Sequence, residues 1–408
     1  MATRSQEQIR SSVMSFFTDP TARRDSDDFL RSLSTTSPIF DAGQFWLISG
    51  FEEVCRLSAN VAVRTFPAKR GAILPISTIP SLASSFSFML PMVDGPDHAR
   101  LRSISARAFA PRRVAQLTLT IENIVDSILD QALTLGDLEV VSQLSVPLPV
   151  AIASEILDVP REDRDQVFKW ALLVSQQILA FDQSAAQSRA AEVEIDLFLH
   201  YLGSLCASRR GSTADDMISV LMSSYGNGDL SVEELQAYVL MLFINGLETL
   251  TSGVTVSVWE LTRRQELHQR ISGDRAFAQS CFNEALRLYS PIRFSARVFA
   301  EDLDFDGFQF KEGEVAVLFY SAANRDLRQF EVPESFDPER PSTRHLAFGH
   351  GPHHCLGREI SLSAGSIVLE RLARLGLKRQ PVTVTNEPKW SDSLAYSTLD
   401  SLSLHFGA

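Results

Sequence analysis

Apolar residues recur at helical spacing through most of the chain. Positions three and four apart carry them in residues 114–135, 162–181 and 190–208, and shorter helical stretches read at 28–34 and 51–57. Residues 231–265 form a longer run, about 50 Å if helical throughout. Its centre, 238–244, is apolar on every side, which predicts a helix passing through the core. Strand-like runs read at 44–49, 297–310 and 315–320, with turn residues Asp306-Gly307 and Glu312-Gly313, and more weakly at 397–406. Residues 66–92 keep neither period, because Pro67, Gly71, Pro75, Pro80 and Pro91 interrupt them. They nevertheless hold Ile73, Leu74, Phe86, Phe88, Met89 and Leu90. That predicts a long apolar loop, either a pocket wall or lid or a patch on the core. The pattern as a whole predicts a mainly α protein with a small β-sheet-rich part. No linker-like stretch divides it, so residues 1–408 read as one domain.

Composition narrows the classes. The chain of 408 residues is 45% hydrophobic and 22% charged, an ordinary globular balance, with a formal net charge of −12. Bulk acidity argues against nucleic-acid binding, which depends on neutralising phosphates with Lys and Arg. Residues 1–12 carry Arg4, Glu7 and Arg10 around no apolar stretch, and the longest apolar run, 237–244, is far short of the roughly 20 residues of a spanning helix. The expectation is a soluble cytoplasmic protein with no membrane partner. Cys55, Cys206, Cys281 and Cys355 are too scattered to form a disulfide framework, so any functional cysteine acts singly.

Three features carry chemistry. The segment Phe348-Gly-His-Gly-Pro-His-His-Cys-Leu-Gly357 crowds glycines around Cys355 just before a helical stretch, 358–373. Such a loop delivers a thiol near a helix N-terminus, where backbone N–H groups stabilise a thiolate. His350, His353 and His354 beside one cysteine also allow a zinc reading, although paired ligands at regular spacing are missing. Within the buried long helix sits Asn245-Gly-Leu-Glu-Thr249. A carboxylate there needs a task or a partner, and Gly246 with Thr249 would let the helix widen or kink. Either a proton-delivery groove or a kink with a paired Glu accounts for it. Glu284-Ala-Leu-Arg287 places acid and base three apart on one helix face, which alone means little.

Taken in this order and spacing, the three resemble the cytochrome P450 family of haem-thiolate monooxygenases along essentially the whole chain. Residues 348–357 match its Phe-x-x-Gly-x-His-x-Cys-x-Gly signature, Glu248-Thr249 its acid–Thr pair, and Glu284 and Arg287 its Glu-x-x-Arg pair. The resemblance implies a helical domain with a small β-rich subdomain and haem b between the long central helix and the cysteine loop. It implies Cys355 as iron ligand, with Phe348, Gly349 and Gly357 around the sulfur and Gly246 at the oxygen groove. His98, Arg102, Arg297, His345 and His353 fall at propionate-binding positions, and Arg340 beside the Glu284–Arg287 pair. Glu248 and Thr249 become the catalytic proton carriers. The pocket would draw on Leu74, Phe86, Phe88, Leu90, Ile178, Ile292, Arg293 and Tyr396. Asn245 stands where a small residue is usual, which points to a substrate or oxygen contact.

The activity implied is oxidation of a mid-sized, mostly apolar small molecule, a secondary-metabolite biosynthetic intermediate, with O2 and electrons from an acidic ferredoxin and its reductase. Arg100, Arg107, Arg112, Arg113, Arg344 and Arg358 form the basic patch that would steer that ferredoxin. The protein is expected to be a monomer. A haem-binding homologue without oxygenase activity is the other class, and the intact Glu248-Thr249 pair argues against it.

Overall fold

The computed structural model describes residues 6–21, 27–65, 77, 79–109, 111–178, 185–212, 217–341, 344–378 and 382–407. Leu74 lies outside them. The chain forms two compact units. One comprises residues 1–64, 128–145 and 249–408, the other residues 65–127 and 146–248.

The first unit is built on a sheet and a helical layer. Trp46–Ile48 pairs antiparallel with Ile39–Asp41 and parallel with Val315–Leu318, which in turn pairs antiparallel with Ser295–Phe299. The strand signals over 297–310 resolve into Ser295–Phe299 and two further strands at the expected turn. Leu303–Phe305 and Phe308–Phe310 form a separate hairpin, turned by Asp306 and Gly307 at φ 54° and 86°. The rings of Phe299 and Phe310 stack at 4.2 Å in a core shared with Ile48, Phe51, Val54 and Leu318.

In the helical layer, Arg275–Tyr289 packs against Arg358–Lys378. The contact depends on glycine: a Cβ on Gly365 would fall 2.2 Å from ring carbons of Phe282. Glu284 and Arg287, both buried, form the pair expected from the sequence. The Arg287 Nε and Nη2 donate to the two Glu284 oxygens at 2.8 Å each, and Arg340 Nε reaches Oε1 at 3.3 Å. Arg287 also donates to the carbonyls of Asn324 and Ser335. One carboxylate thus faces two guanidiniums, whose remaining donors go to backbone carbonyls, and such hydrogen bonding is the condition for buried charges to be tolerated.

The second unit is helical. Trp170 of Arg164–Gln177 stacks on Phe198 of Ala185–Ser208 at 5.4 Å, and Phe198 meets Phe243 of the long helix at 5.6 Å. The expected apolar loop at 66–92 is corrected in its second half: Pro80–Ser87 is an α-helix and Leu90–Met92 a 3-10 turn. Pro80 and Pro91 lie in the first turn of each element, where a missing N–H is harmless, so they start helices and do not break them. Phe86 and Leu90 are buried, which favours the core-patch role for these two.

The long helix runs Val232–Arg263. It is α-helical without interruption through residues 245–249, with no π or 3-10 turn at Gly246 or Thr249. Hydroxyl competition for the backbone occurs further along, where Thr255 and Ser257 bond the carbonyls four residues back. Contrary to the short apolar run noted in the sequence, this helix is long and apolar enough to cross a bilayer. Yet 72% of its most apolar window is buried in the protein, as for a core helix.

Candidate active site

The cysteine loop belongs to the first unit and is held by backbone geometry. Gly349 and Gly351 take φ of 70° and 72°, conformations that L side chains avoid. The Gly349 N–H donates to Leu346 O, that of His354 to Gly351 O, and that of Cys355 to Phe348 O at 2.9 Å, closing a tight turn around the thiol. Gly351 also has no room for a side chain, since a Cβ would lie 2.6 Å from Ser58 O at the end of the helix Phe51–Ser58. The loop therefore rests on that helix, a support that the sequence did not disclose.

Cys355 is exposed, whereas Cys55, Cys206 and Cys281 are buried. Burial pushes the Cys206 thiol up to about 11 and that of Cys281 up to about 12, and it raises Cys55 as well. These three are inert core thiols. Among the described residues no group of three or more His, Cys, Asp or Glu is placed to hold a metal, so the zinc reading has no donor set. Gly357, two residues on, would place a Cβ 3.9 Å from the Cys355 sulfur.

Other expected residues of this unit sit around the same elements. Phe348 lies 5.7 Å from the ring of His345 and beneath the guanidinium of Arg358. His345 is neutral. Burial first, then the nearby Arg287, Arg358 and His354, lowers its pKa to about 3. Its Nδ1 accepts from the Ala347 N–H and its Nε2 bonds Asn283 Oδ1 at 2.9 Å. A propionate contact at His345 would have to displace the Asn283 bond. Arg297, half-buried on its strand, donates to Ser295 Oγ and Ala296 O, and His353 closes the 3-10 turn Gly351–His353. Ile292 and Tyr396 pair as an isolated bridge. Arg293 is buried, its Nε donating to the Tyr396 carbonyl at 3.2 Å, which ties it to the backbone of that bridge.

Within the second unit, His98 is buried and Arg102 half-buried, one turn apart on the helix Gly95–Ala108. Phe88 and Ile178 are half-buried and Asn245 is exposed. At Gly246 an added Cβ would meet no atom within 4 Å, so the helix presents open space there. Two residues on, Glu248 accepts a hydrogen bond at Oε1 from Ser175 Oγ. Ser175 carries no pattern that would single it out in the sequence. Arg100 leaves the expected basic patch, because Glu234 and Asp97 neutralise it.

The family model described as Cytochrome P450 matches residues 189–375. A protein of Bacillus subtilis (strain 168) named "Cytochrome P450" is 30% identical over 373 residues, covering 89% of this chain and 88% of its own. The biotin biosynthesis cytochrome P450 of the same strain is also 30% identical, over 89% of this chain and 91% of its own. Among solved structures, P450BioI in complex with an acyl carrier protein ligated to hexadec-9Z-enoic acid superposes with a TM-score of 0.82 at 27% identity. It covers 96% of this chain and all of that one. Thirty per cent identity over 89% of this chain and 88% of the relative, on one fold, makes this chain a member of the cytochrome P450 family.

Proposed function

We propose that this monooxygenase oxidises a mid-sized, mostly apolar biosynthetic intermediate, with Cys355 as haem ligand and Glu248 and Thr249 as proton carriers. Haem b is the prosthetic group of the family. The observation that carries the assignment is the cysteine loop: one exposed thiol, on a turn fixed by two left-handed glycines, with every other cysteine buried. One exposed thiol, with no cluster of further donors among the described residues, would suit haem iron better than a tetrahedral metal site. His98, Arg102, Arg297 and His353 are the side chains proposed to hold the propionates, with His345 limited by its bond to Asn283. When bound, the haem would supply O2 activation, which an electron-rich thiolate ligand favours.

The protein's own residues then manage position, water and protons. Phe348, packed between His345 and Arg358, shields the loop side of the sulfur. Open space beside Gly246 leaves room for a small ligand on the long helix. The Thr249 hydroxyl can accept a proton at Oγ1 as it passes its own onward, and Glu248, half-buried beside it, can supply that proton after taking one up from water. Similarity to a biotin-biosynthesis enzyme, and to one crystallised with an acyl-loaded carrier protein, supports a biosynthetic substrate. Electrons would come from an acidic ferredoxin with its reductase, steered by Arg344, eleven residues before Cys355, whereas Arg358 is paired with Glu359. The reading is completed by a cytoplasmic monomer, in which the long helix, 72% buried over its most apolar window, serves as a core helix.

The test is made on purified haem protein. Reduction under carbon monoxide should give the long-wavelength thiolate band in the wild type and in Cys55→Ala, Cys206→Ala and Cys281→Ala, but not in Cys355→Ala. Spin-shift titration against biosynthetic intermediates, followed by product analysis with ferredoxin, reductase and nicotinamide, should yield an oxygenated product. A thiolate band that survives Cys355→Ala overturns the ligand assignment.

A further inference from the structure

We infer that Ser175 is a positioning residue for Glu248, fixing the carboxylate from which protons reach Thr249. The inference rests on the proton-carrier reading above and adds a member to it.

Ser175 lies in the last turn of the helix Arg164–Gln177, where the N–H of Ile178 bonds the carbonyls of Val174 and Ser175. A serine inside a helix ordinarily turns its hydroxyl back on the carbonyl three or four residues earlier. This chain follows that habit at Ser85, Ser105, Thr255 and Ser257. Ser175 departs from it. Its single hydroxyl proton goes to Glu248 Oε1, across 73 positions of sequence and onto another helix. Both residues belong to the same compact unit and both are half-buried.

Side-chain length explains the partnership. Glu248 projects from a helix position one residue before Thr249 and two after Gly246, the glycine beside open space. A glutamate there has three rotatable bonds and, left alone, samples several rotamers. The Ser175 bond selects one of them and fixes one oxygen, leaving Oε2 as the oxygen that can carry a proton. An aspartate, shorter by one methylene, would hold its carboxyl further back from Ser175 on the same backbone. The choice of glutamate and the presence of Ser175 are therefore one feature.

Four variants of the holoprotein test this: Ser175→Ala, Ser175→Thr, Glu248→Asp and Glu248→Gln. In the resting protein, amide exchange in the last turn of Arg164–Gln177 should quicken in Ser175→Ala and in Glu248→Asp. The double variant should be no faster than either single one, the mark of a shared bond. During turnover, peroxide formed per nicotinamide oxidised should rise about threefold or more in Ser175→Ala, a small part of the roughly 100-fold or more a positioned acid contributes. Ser175→Thr, which keeps the hydroxyl, should return it close to wild type. If Glu248→Gln changes neither turnover rate nor peroxide yield, the proton-carrier reading fails. If Glu248→Gln changes them while Ser175→Ala leaves peroxide unchanged or lower, only the role given to Ser175 is overturned.

Discussion

Replacing Gly351 by alanine tests whether the cysteine loop depends on its seat against the helix Phe51–Ser58. Two costs are separable. The backbone at Gly351 has φ 72°, and an L residue held in that left-handed region costs about 1–2 kcal/mol. The new Cβ would also lie 2.6 Å from Ser58 O, 3.1 Å from Ser58 C and 3.2 Å from Ala59 Cα. All three are backbone atoms, which cannot swing aside as a side chain does. Forced overpacking of this kind adds about 1–3 kcal/mol, for a total of roughly 2–5 kcal/mol. Gly349 supplies the control within the same loop: its φ is 70°, but its Cβ would meet nothing closer than His353 O at 3.7 Å, an ordinary contact. Gly349→Ala should therefore show the conformational cost alone. The assay is the urea midpoint of each variant together with the share of protein giving the thiolate carbon-monoxide band. Gly351→Ala should be less stable than Gly349→Ala by about 1–3 kcal/mol, the overpacking cost alone, and should lose more of the band, because relief of the clash lifts the loop from its support. Equal stability and equal band in the two variants would refute the argument.

Arg287→Ala leaves Glu284 buried without its principal partner and should cost about 3–5 kcal/mol. Arg287→Lys should not restore it, since one ammonium cannot reproduce bonds to Glu284, Asn324 and Ser335 together, and soluble yield and thermal unfolding check both. Thr249→Ala should retain the substrate-induced spin shift yet divert reducing equivalents to peroxide, measured per nicotinamide oxidised. An unchanged peroxide yield would reduce Thr249 to a helix residue. His345 titrates at about 3 in the folded protein against 6.5 for an ordinary histidine. Between these values the unfolded chain binds the extra proton, so folding stability should fall as pH drops from about 6.5 towards 3. His345→Gln should flatten that part of the stability profile, read from urea midpoints at successive pH values.

What was legible in the sequence is what lies close together along it. The cysteine loop announces itself because its glycines and thiol are neighbours, and the structure makes it a tight turn with Gly349 and Gly351 at positive φ. Glu284 and Arg287 are one helical turn apart, and the geometry that joins them follows from the spacing alone. The hairpin at Asp306-Gly307 was legible for the same reason. Pro80 and Pro91 misled, because a proline marks both the end of one element and the first turn of the next, and periodicity over eight residues is too short to decide between them. Ser175 and the Phe51–Ser58 helix were not legible as parts of the site. Their roles arise from contacts across 73 positions and nearly 300 positions respectively, which leave no mark on either local pattern.

Those long-range contacts account for how an exposed cysteine can be held in one place. A buried thiol is fixed by packing on all sides, and Cys355 lacks that. Its position is set through the backbone on either side of it. Before the loop, the Leu346 N–H donates to Asn324 Oδ1 at 2.7 Å, Asn324 Nδ2 donates to Ser290 Oγ, and the Asn324 carbonyl accepts from Arg287. The Glu284–Arg287 pair is thereby connected to the cysteine turn through one buried asparagine. In the middle of the loop, Gly351 rests on Ser58, and after it the Ser361 N–H bonds Gly357 O as the helix Arg358–Lys378 begins. Three anchors of independent origin fix ten residues, so the backbone that carries the sulfur keeps its place. That arrangement explains why the buried Glu284–Arg287 pair, which touches no reacting atom, accompanies the cysteine loop: it is the far end of the support on which the thiol stands.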